Sequence, residues 1–384
     1  MNRFARTVIC IILIIFLLLR QESAVGNDDS LHNFNRIYSI RYSSDGSRLF
    51  IAGYRTVWLG HTEWAFAYDA ATFRQLFIAP PPKPNDRSFA SSANRVVSDV
   101  QNRFIVTAGQ QNQVLRGYGN PAGESFGQIK VWDAKSFHFL RELDHANQQF
   151  LDAAISPDGK LLAAVCSTSG FNFSTVWIWR LDSGKRVKKF VGHRQLEIEP
   201  GKPPEWSGVM TTAVAFSPDG KTLATGGRDS QIRFWDVEND FAELAAIDCG
   251  SSSPERLIYF PNGTRLVSAG SDGVAIIWDI HERKPSYTLK LKNQKYWEAD
   301  VAISPDGKTI ATADHVEVRL WDSQSGTPLR RLKLPYTDPT CVAYSPCGRY
   351  LAIGFDKYPR LRDGGSDGVI QWDLVGDKLR QPVK

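Results

Sequence analysis

Two serines sit in the Gly-x-Ser-x-Gly spacing, at Gly123-Glu124-Ser125-Phe126-Gly127 and Gly364-Gly365-Ser366-Asp367-Gly368. That pattern makes a serine nucleophilic where a strand turns sharply into a helix and lifts the hydroxyl toward a base. Neither stretch is followed by a helical pattern, and each falls in a connection inside a strand-rich repeat, so acyl transfer is not expected. The seven histidines are scattered, and neither a His-Glu-x-x-His nor a Cys-x-x-Cys spacing occurs, which removes the two commonest zinc signatures. Asp363 and Asp367-Gly368 suggest a calcium loop, yet the third-position ligand and the glutamate at position twelve are missing. The sequence therefore predicts no catalytic residue, no metal and no cofactor.

The cysteines offer no redox chemistry either. Cys10 lies in an apolar N-terminal run, leaving Cys166, Cys249, Cys341 and Cys347. Cys341 and Cys347 belong to one extended segment and its turn. At roughly 3.3 Å per residue they stand beyond the ~7 Å Cα limit of a disulfide. Cys166 and Cys249 fall in different repeats, so four buried free thiols are expected.

What must position any functional residue is a repeat. Aromatic-aspartate pairs recur at Tyr68-Asp69, Trp132-Asp133, Trp235-Asp236, Trp278-Asp279, Trp321-Asp322 and Trp372-Asp373, with Trp179 as a seventh member lacking the aspartate. Before each lies a turn signal. Ser156-Pro157-Asp158-Gly159-Lys160, Ser217-Pro218-Asp219-Gly220-Lys221 and Ser304-Pro305-Asp306-Gly307-Lys308 are complete. Ser44-Asp45-Gly46, Pro261-Asn262-Gly263 and Pro346-Cys347-Gly348 are partial, and Val100-Gln101-Asn102 has no glycine. Proline pre-sets φ and glycine takes the positive-φ position of such turns. The turn residues are spaced 56, 57, 61, 43, 44 and 41 apart, and the last three match the ~40–45 residues of a four-stranded propeller blade. Within a repeat, Gln231-Ile232-Arg233-Phe234-Trp235-Asp236 alternates with the period of two that marks a strand.

These seven punctuated repeats resemble the WD40 family over nearly the whole chain after residue 30. The resemblance implies an all-β, seven-bladed propeller of four-stranded antiparallel blades over 31–383, with blades near 31–79, 90–144, 148–191, 205–247, 253–291, 296–334 and 338–383. Trp132, Trp179, Trp235, Trp278, Trp321 and Trp372 are then core residues, each able to bury roughly 150–250 Å². It also implies a hydrogen-bonded set of His193, Asp229, Trp235 and Thr225 in blade 4, since Gly192-His193 matches the family's Gly-His pair. Blade 5 keeps Asp272 and Trp278 without a histidine. Ring closure is open to two solutions, with the outer strand of blade 7 supplied by Lys378–Val383 or by Leu31–Asn35.

Residues 1–26 read differently. Arg3 and Arg6 precede an unbroken apolar run from Val8 to Leu19, about 18 Å long as a helix against a ~30 Å hydrocarbon core. That is a secretory signal with cleavage after Gly26, or an uncleaved N-terminal anchor, and an exported protein with no membrane span in its mature chain is expected. Without Arg3, Arg6, Arg20 and Glu22 the chain holds 43 basic and 40 acidic residues, too balanced for phosphate-backbone binding, so no nucleic-acid partner is expected. Lys185-Arg186-Val187-Lys188-Lys189 reads as a solvated outer strand of blade 3.

The unequal repeats carry the one functional clue. From turn residue to repeat aromatic the spacing is 15, 15 and 14 in blades 4, 5 and 6, but 22, 30, 20 and 24 in blades 1, 2, 3 and 7. The excess falls between second and third strands, at Tyr54–Glu63, Gln110–Gly127, Cys166–Thr175 and Phe355–Gly368, and blade 4 gains a long lead-in, Val191–Val209. Blade 7 closes on blade 1, so these segments form one arc. They carry Trp58, Arg116, Tyr118, Trp206, Tyr358 and Arg360, and aromatic and arginine side chains dominate protein interfaces. The expectation is a monomeric, non-enzymatic platform whose protein partner binds this arc. A small-molecule or glycan binder and a propeller-based enzyme are the alternatives.

Overall fold

Alternating apolar residues broken by tight turns yield short antiparallel strands throughout. A computed structural model describes residues 36–56, 62–78, 89–113, 125–146, 148–168, 174–197, 205–250, 252–270, 272–292, 299–334, 338–356 and 368–380. Among them lie seven four-stranded antiparallel sheets and no helix. Blade 4 shows the pattern: inner strand Thr211–Phe216, second Thr222–Gly227, third Gln231–Asp236 and outer Ala242–Asp248. The seven blades occupy 36–78, 89–146, 148–191, 211–248, 254–290, 300–331 and 339–380, and neighbouring inner strands pack around the ring, the last against the first. The chain is a seven-bladed β-propeller.

One boundary differs from the sequence reading. Blade 4 begins at Thr211, not at 205, because the amide of Val209 bonds the His193 carbonyl and the carbonyl of Met210 accepts from Arg228. Glu205–Gly208 instead pairs with Arg194–Glu197 in a separate two-stranded hairpin between blades 3 and 4.

The inner turns behave as their chemistry requires. Gly46, Gly159, Gly220, Gly263, Gly307 and Gly348 have φ between 68° and 73°, and Asn102 takes the same left-handed region at 52°. In the complete turns the serine hydroxyl donates to the aspartate (Ser156 Oγ to Asp158 Oδ1, 2.6 Å) and accepts an amide across the turn (Leu161 N, 2.9 Å). The turns also stack. A Cβ on Gly220 would meet Pro157 at 3.5 Å, one on Gly263 would meet Pro218 at 3.6 Å, and one on Gly46 would meet Pro346 at 3.3 Å across the closure. Each proline thus seats the next blade's turn.

The six tryptophans are all buried. In four blades the indole Nε1 donates to a hydroxyl of the second strand: Trp132 to Thr107 (3.2 Å), Trp235 to Thr225 (2.9 Å), Trp278 to Ser268 (2.8 Å) and Trp321 to Thr312 (2.9 Å). A buried donor left unmade costs more than the bond contributes, so this pairing spares each blade a penalty. Closure uses blade 7's own outer strand, Lys378–Arg380, paired with Val369–Asp373. The seam is sealed by an apolar cluster of Ile37, Ile40, Tyr42 and Leu49 with Cys341 and Ala352. Thr340 Oγ1 donates to the Ile37 carbonyl (2.7 Å) and Gln371 Nε2 to the Ala70 carbonyl (2.9 Å).

The thiols need one correction. Cys166, Cys249 and Cys341 are buried, but Cys347 is exposed, because it occupies the turn-tip position that Asp45, Asp158, Asp219 and Asp306 hold elsewhere. Its Sγ lies 3.3 Å from Ser345 Oγ. The strand Arg186–Val191 is the exposed outer strand of blade 3, with Arg186 and Lys189 centred 5.0 and 4.3 Å from the Trp177 ring.

Candidate functional site

In an antiparallel blade the first-to-second and third-to-fourth connections share one end. The second-to-third connections and the passages between blades share the other. Blades 4, 5 and 6 make the second-to-third crossing within Arg228–Ser230, 271–273 and Asp314–Glu317. In blades 1 and 2 the strands extend to Thr56 and Thr62, and to Gln113 and Ser125, with ladder pairing that reaches Thr56↔Thr62 and Asn112↔Ser125. The hairpin Arg194–Glu197/Glu205–Gly208 belongs to the same end, as a passage from blade 3 to blade 4. The strand ends that bound the longer second-to-third connections, in blades 7, 1, 2 and 3, thus lie on the same end as this hairpin.

Trp58, Arg116, Tyr118, Tyr358 and Arg360 lie outside the described residues. Trp206 is placed as a backbone position opposite Leu196. Among the described residues this end of the ring carries several ion pairs. Arg36 and Asp356 pair as a β-bridge and an ion pair (3.7 Å), and Arg331 holds Glu317 at 2.8 Å alongside Arg319. Burial, then the nearby Arg36 charge, hold the His315 pKa below its usual value. Arg36, Arg95, Arg256, Glu255 and His315 line a cavity of about 40 Å³ at this end of the channel, the size of one or two waters.

Deeper in the channel lies a feature that no local motif marks. The residues seven positions before the turn glycine or Asn102 are Ser39, Arg95, Asp152, Ala213, Arg256, Asp300 and Cys341, one per blade. In six of the inner strands a β-bulge sits immediately before this position. Arg95 Nε meets Asp152 Oδ1 at 2.5 Å, and Arg256 Nε meets Asp300 Oδ1 at 3.0 Å. Small Ala213 lets Arg256 reach across blade 4 to Asp152 at 3.7 Å. Each aspartate also accepts the next blade's inner-strand amide, Val214 N to Asp152 (3.1 Å) and Val342 N to Asp300 (3.0 Å). Burial raises the Asp152 pKa, opposed by Arg95 and the amides of Val214 and Ala153. The ring closes the waist and ties blades 2 through 7 together. Its signal was in the sequence, as charged residues at one offset from four of the seven turns.

The structure brings His193, Asp229, Thr225 and Trp235 together. His193 Nδ1 is 2.8 Å from Asp229 Oδ1 and Nε2 is 2.9 Å from Thr225 Oγ1, which also accepts from Trp235. Burial works to raise the Asp229 pKa, but hydrogen bonds and charge from His193 and Arg233 win and lower it. A Cβ on Gly227 would lie 2.4 Å from the imidazole, so glycine makes room for the relay. This set is enclosed. Of the two serines considered, Ser125 starts the strand Ser125–Asp133 between two other strands, while Ser366 lies outside the described residues. Among the described residues no group of three His, Cys, Asp or Glu is arranged to hold a metal ion, and no helix is long and apolar enough to cross a membrane.

Comparison with known proteins agrees with this architecture. A family model described as WD domain, G-beta repeat, matches residues 204–236 and 251–279. The chain is 28% identical to the periodic tryptophan protein 2 homolog of Dictyostelium discoideum, over 68% of this chain and 26% of that protein. It is 24% identical to autophagy-related protein 16 of Arabidopsis thaliana, over 67% and 56%. It is 26% identical to target of rapamycin complex subunit wat1 of Schizosaccharomyces pombe, over 49% and 53%. The chain thus spans between about a quarter and just over half of the length of these relatives.

Proposed function

Because this chain belongs to the WD40-repeat family of β-propellers, we propose that it is a non-enzymatic platform, itself monomeric, that binds a protein partner on its loop-bearing end over blades 7, 1, 2 and 3. The observation that carries this reading is the gathering of long second-to-third connections into adjacent blades, at the end that also bears the hairpin between blades 3 and 4. A rigid ring holding long connections on one side is how binding segments are usually presented. One relative, wat1, is by name a subunit of a complex, which supports the same reading.

Alanine at Trp58, Arg116, Tyr118, Trp206, Tyr358 and Arg360 is expected to weaken capture of the partner while the melting temperature stays unchanged. The test pairs co-purification of each variant with a thermal melt. Unchanged capture with lowered stability would mean that these segments pack on one another as a cover over the ring. Export belongs to the proposal: the apolar run after Arg6 directs it, and N-terminal sequencing of protein from its own cells should read from near Asn27. An intact Met1 on soluble cytoplasmic protein would contradict it.

A further inference from the structure

The channel's opposite mouth, where the inner turns meet, opens into a basin of about 470 Å³ lined by all seven blades. Its walls repeat a register. Five residues before each turn glycine or Asn102 stand Arg41, Val97, Ala154, Ala215, Ile258, Ala302 and Ala343, and all seven line the basin. Six are apolar and mostly small, which is what leaves the space open. The seventh is an arginine. Among the described residues Arg41 makes no ion pair; its guanidinium donates to the carbonyl of its own neighbour Ile40 at 3.0 Å.

The other charges in this lining are already matched. Arg256, at the floor, is held by Asp300 at 3.0 Å. Asp99 is held by Arg103 at 2.9 Å and by the amides of Arg103 and Phe104. The lining therefore presents one uncompensated cation on an apolar wall. It also contains Tyr259, whose buried hydroxyl has no hydrogen-bond partner. A volume of this size falls within the roughly 300–1,000 Å³ of small-molecule sites, which are mostly apolar with a few polar groups fixing orientation.

We propose that this basin binds a small carboxylate with an apolar body, the carboxylate forming a charge-assisted pair with Arg41 and the body lying against Val97, Ala215, Ile258 and Ala302. A guanidinium fork matches a carboxylate in geometry as well as charge. The site is remote from the loop-bearing end and does not depend on the reading of that end.

Octanoate titrated into the full chain, followed calorimetrically and by amide shifts, should bind saturably at one site. Octanol, equal in its apolar body but uncharged, should bind about ten- to a hundredfold more weakly, the span of one charged hydrogen-bonded contact. Arg41→Met should abolish that preference by weakening octanoate to the level of octanol. Arg41 is half-buried and holds no other residue's side chain, so the variant should keep its melting temperature. Ala154→Leu, which fills the basin from a partly exposed wall position, should weaken both ligands. Loop-end variants such as Trp206→Ala should leave octanoate binding unchanged. Equal binding of octanoate and octanol, full octanoate affinity in Arg41→Met, or no saturable binding at millimolar octanoate would each overturn the assignment.

Discussion

Arg256→Ala should destabilise the ring by about 3–5 kcal/mol, the range for removing one partner of a buried ion pair. The cost comes from what remains. Asp300, 8% exposed, loses its 3.0 Å contact with Arg256 and keeps the Val342 amide, which cannot neutralise a carboxylate. Asp152 retains Arg95 and is affected less. Chemical denaturation measures the loss. The double variant Arg256→Met/Asp300→Asn should recover a large part of it, because the asparagine oxygen still accepts from Val342 with no charge to strand. A loss below about 1 kcal/mol for Arg256→Ala, well under that range, would show that water solvates the waist and that the ion ring does not tie the blades together.

Trp179→Ala carries the second large effect, about 3–5 kcal/mol for truncating a fully buried aromatic. Trp179 is 0% exposed, stacked on Trp177 with centroids 5.6 Å apart and set edge-on to Phe150 at 6.1 Å. It lies in the cluster that joins blades 2 and 3 through Val131, Leu143 and Leu162. The cavity should open between blades, so the melting temperature should fall while capture of the partner by folded protein is retained. Lost capture with an unchanged melt would place Trp179 at a binding surface and contradict its role in the core.

Most of the fold was legible because its signals are local. A positive-φ turn needs glycine or asparagine, and Gly159, Gly220 and Asn102 stand where the turn requires them. A strand needs alternation, and a buried indole needs a donor's partner. The His193 relay was legible through the family pattern, while the hydroxyl partners in blades 2, 5 and 6, Thr107, Ser268 and Thr312, are visible only once strands are in register. The hairpin at Arg194–Glu197 read as plain connection because four polar-rich residues carry little periodicity. The waist was missed for a different reason. Arg95 or Asp300 alone in an apolar strand reads as an outward-facing polar residue, and only the ring places seven such positions face to face. Ring closure was not legible because both candidate strands are short and polar; blade 7 takes its fourth strand from the local hairpin of Val369–Asp373 with Lys378–Arg380, while residues 31–35 lie outside the described residues. The proposed anchors differ again, since Trp58, Arg116, Tyr118, Tyr358 and Arg360 lie outside the described residues.

The most direct test of the platform reading is hydrogen–deuterium exchange of the full chain, alone and with its captured partner. The account predicts protection on binding at 57–61, 114–124, 169–173 and 357–367 and at the hairpin spanning 194–208, with the inner turns at Gly220, Gly263 and Gly307 unchanged. Protection confined to those turns or to the outer strands, with the long connections exchanging as before, would contradict it.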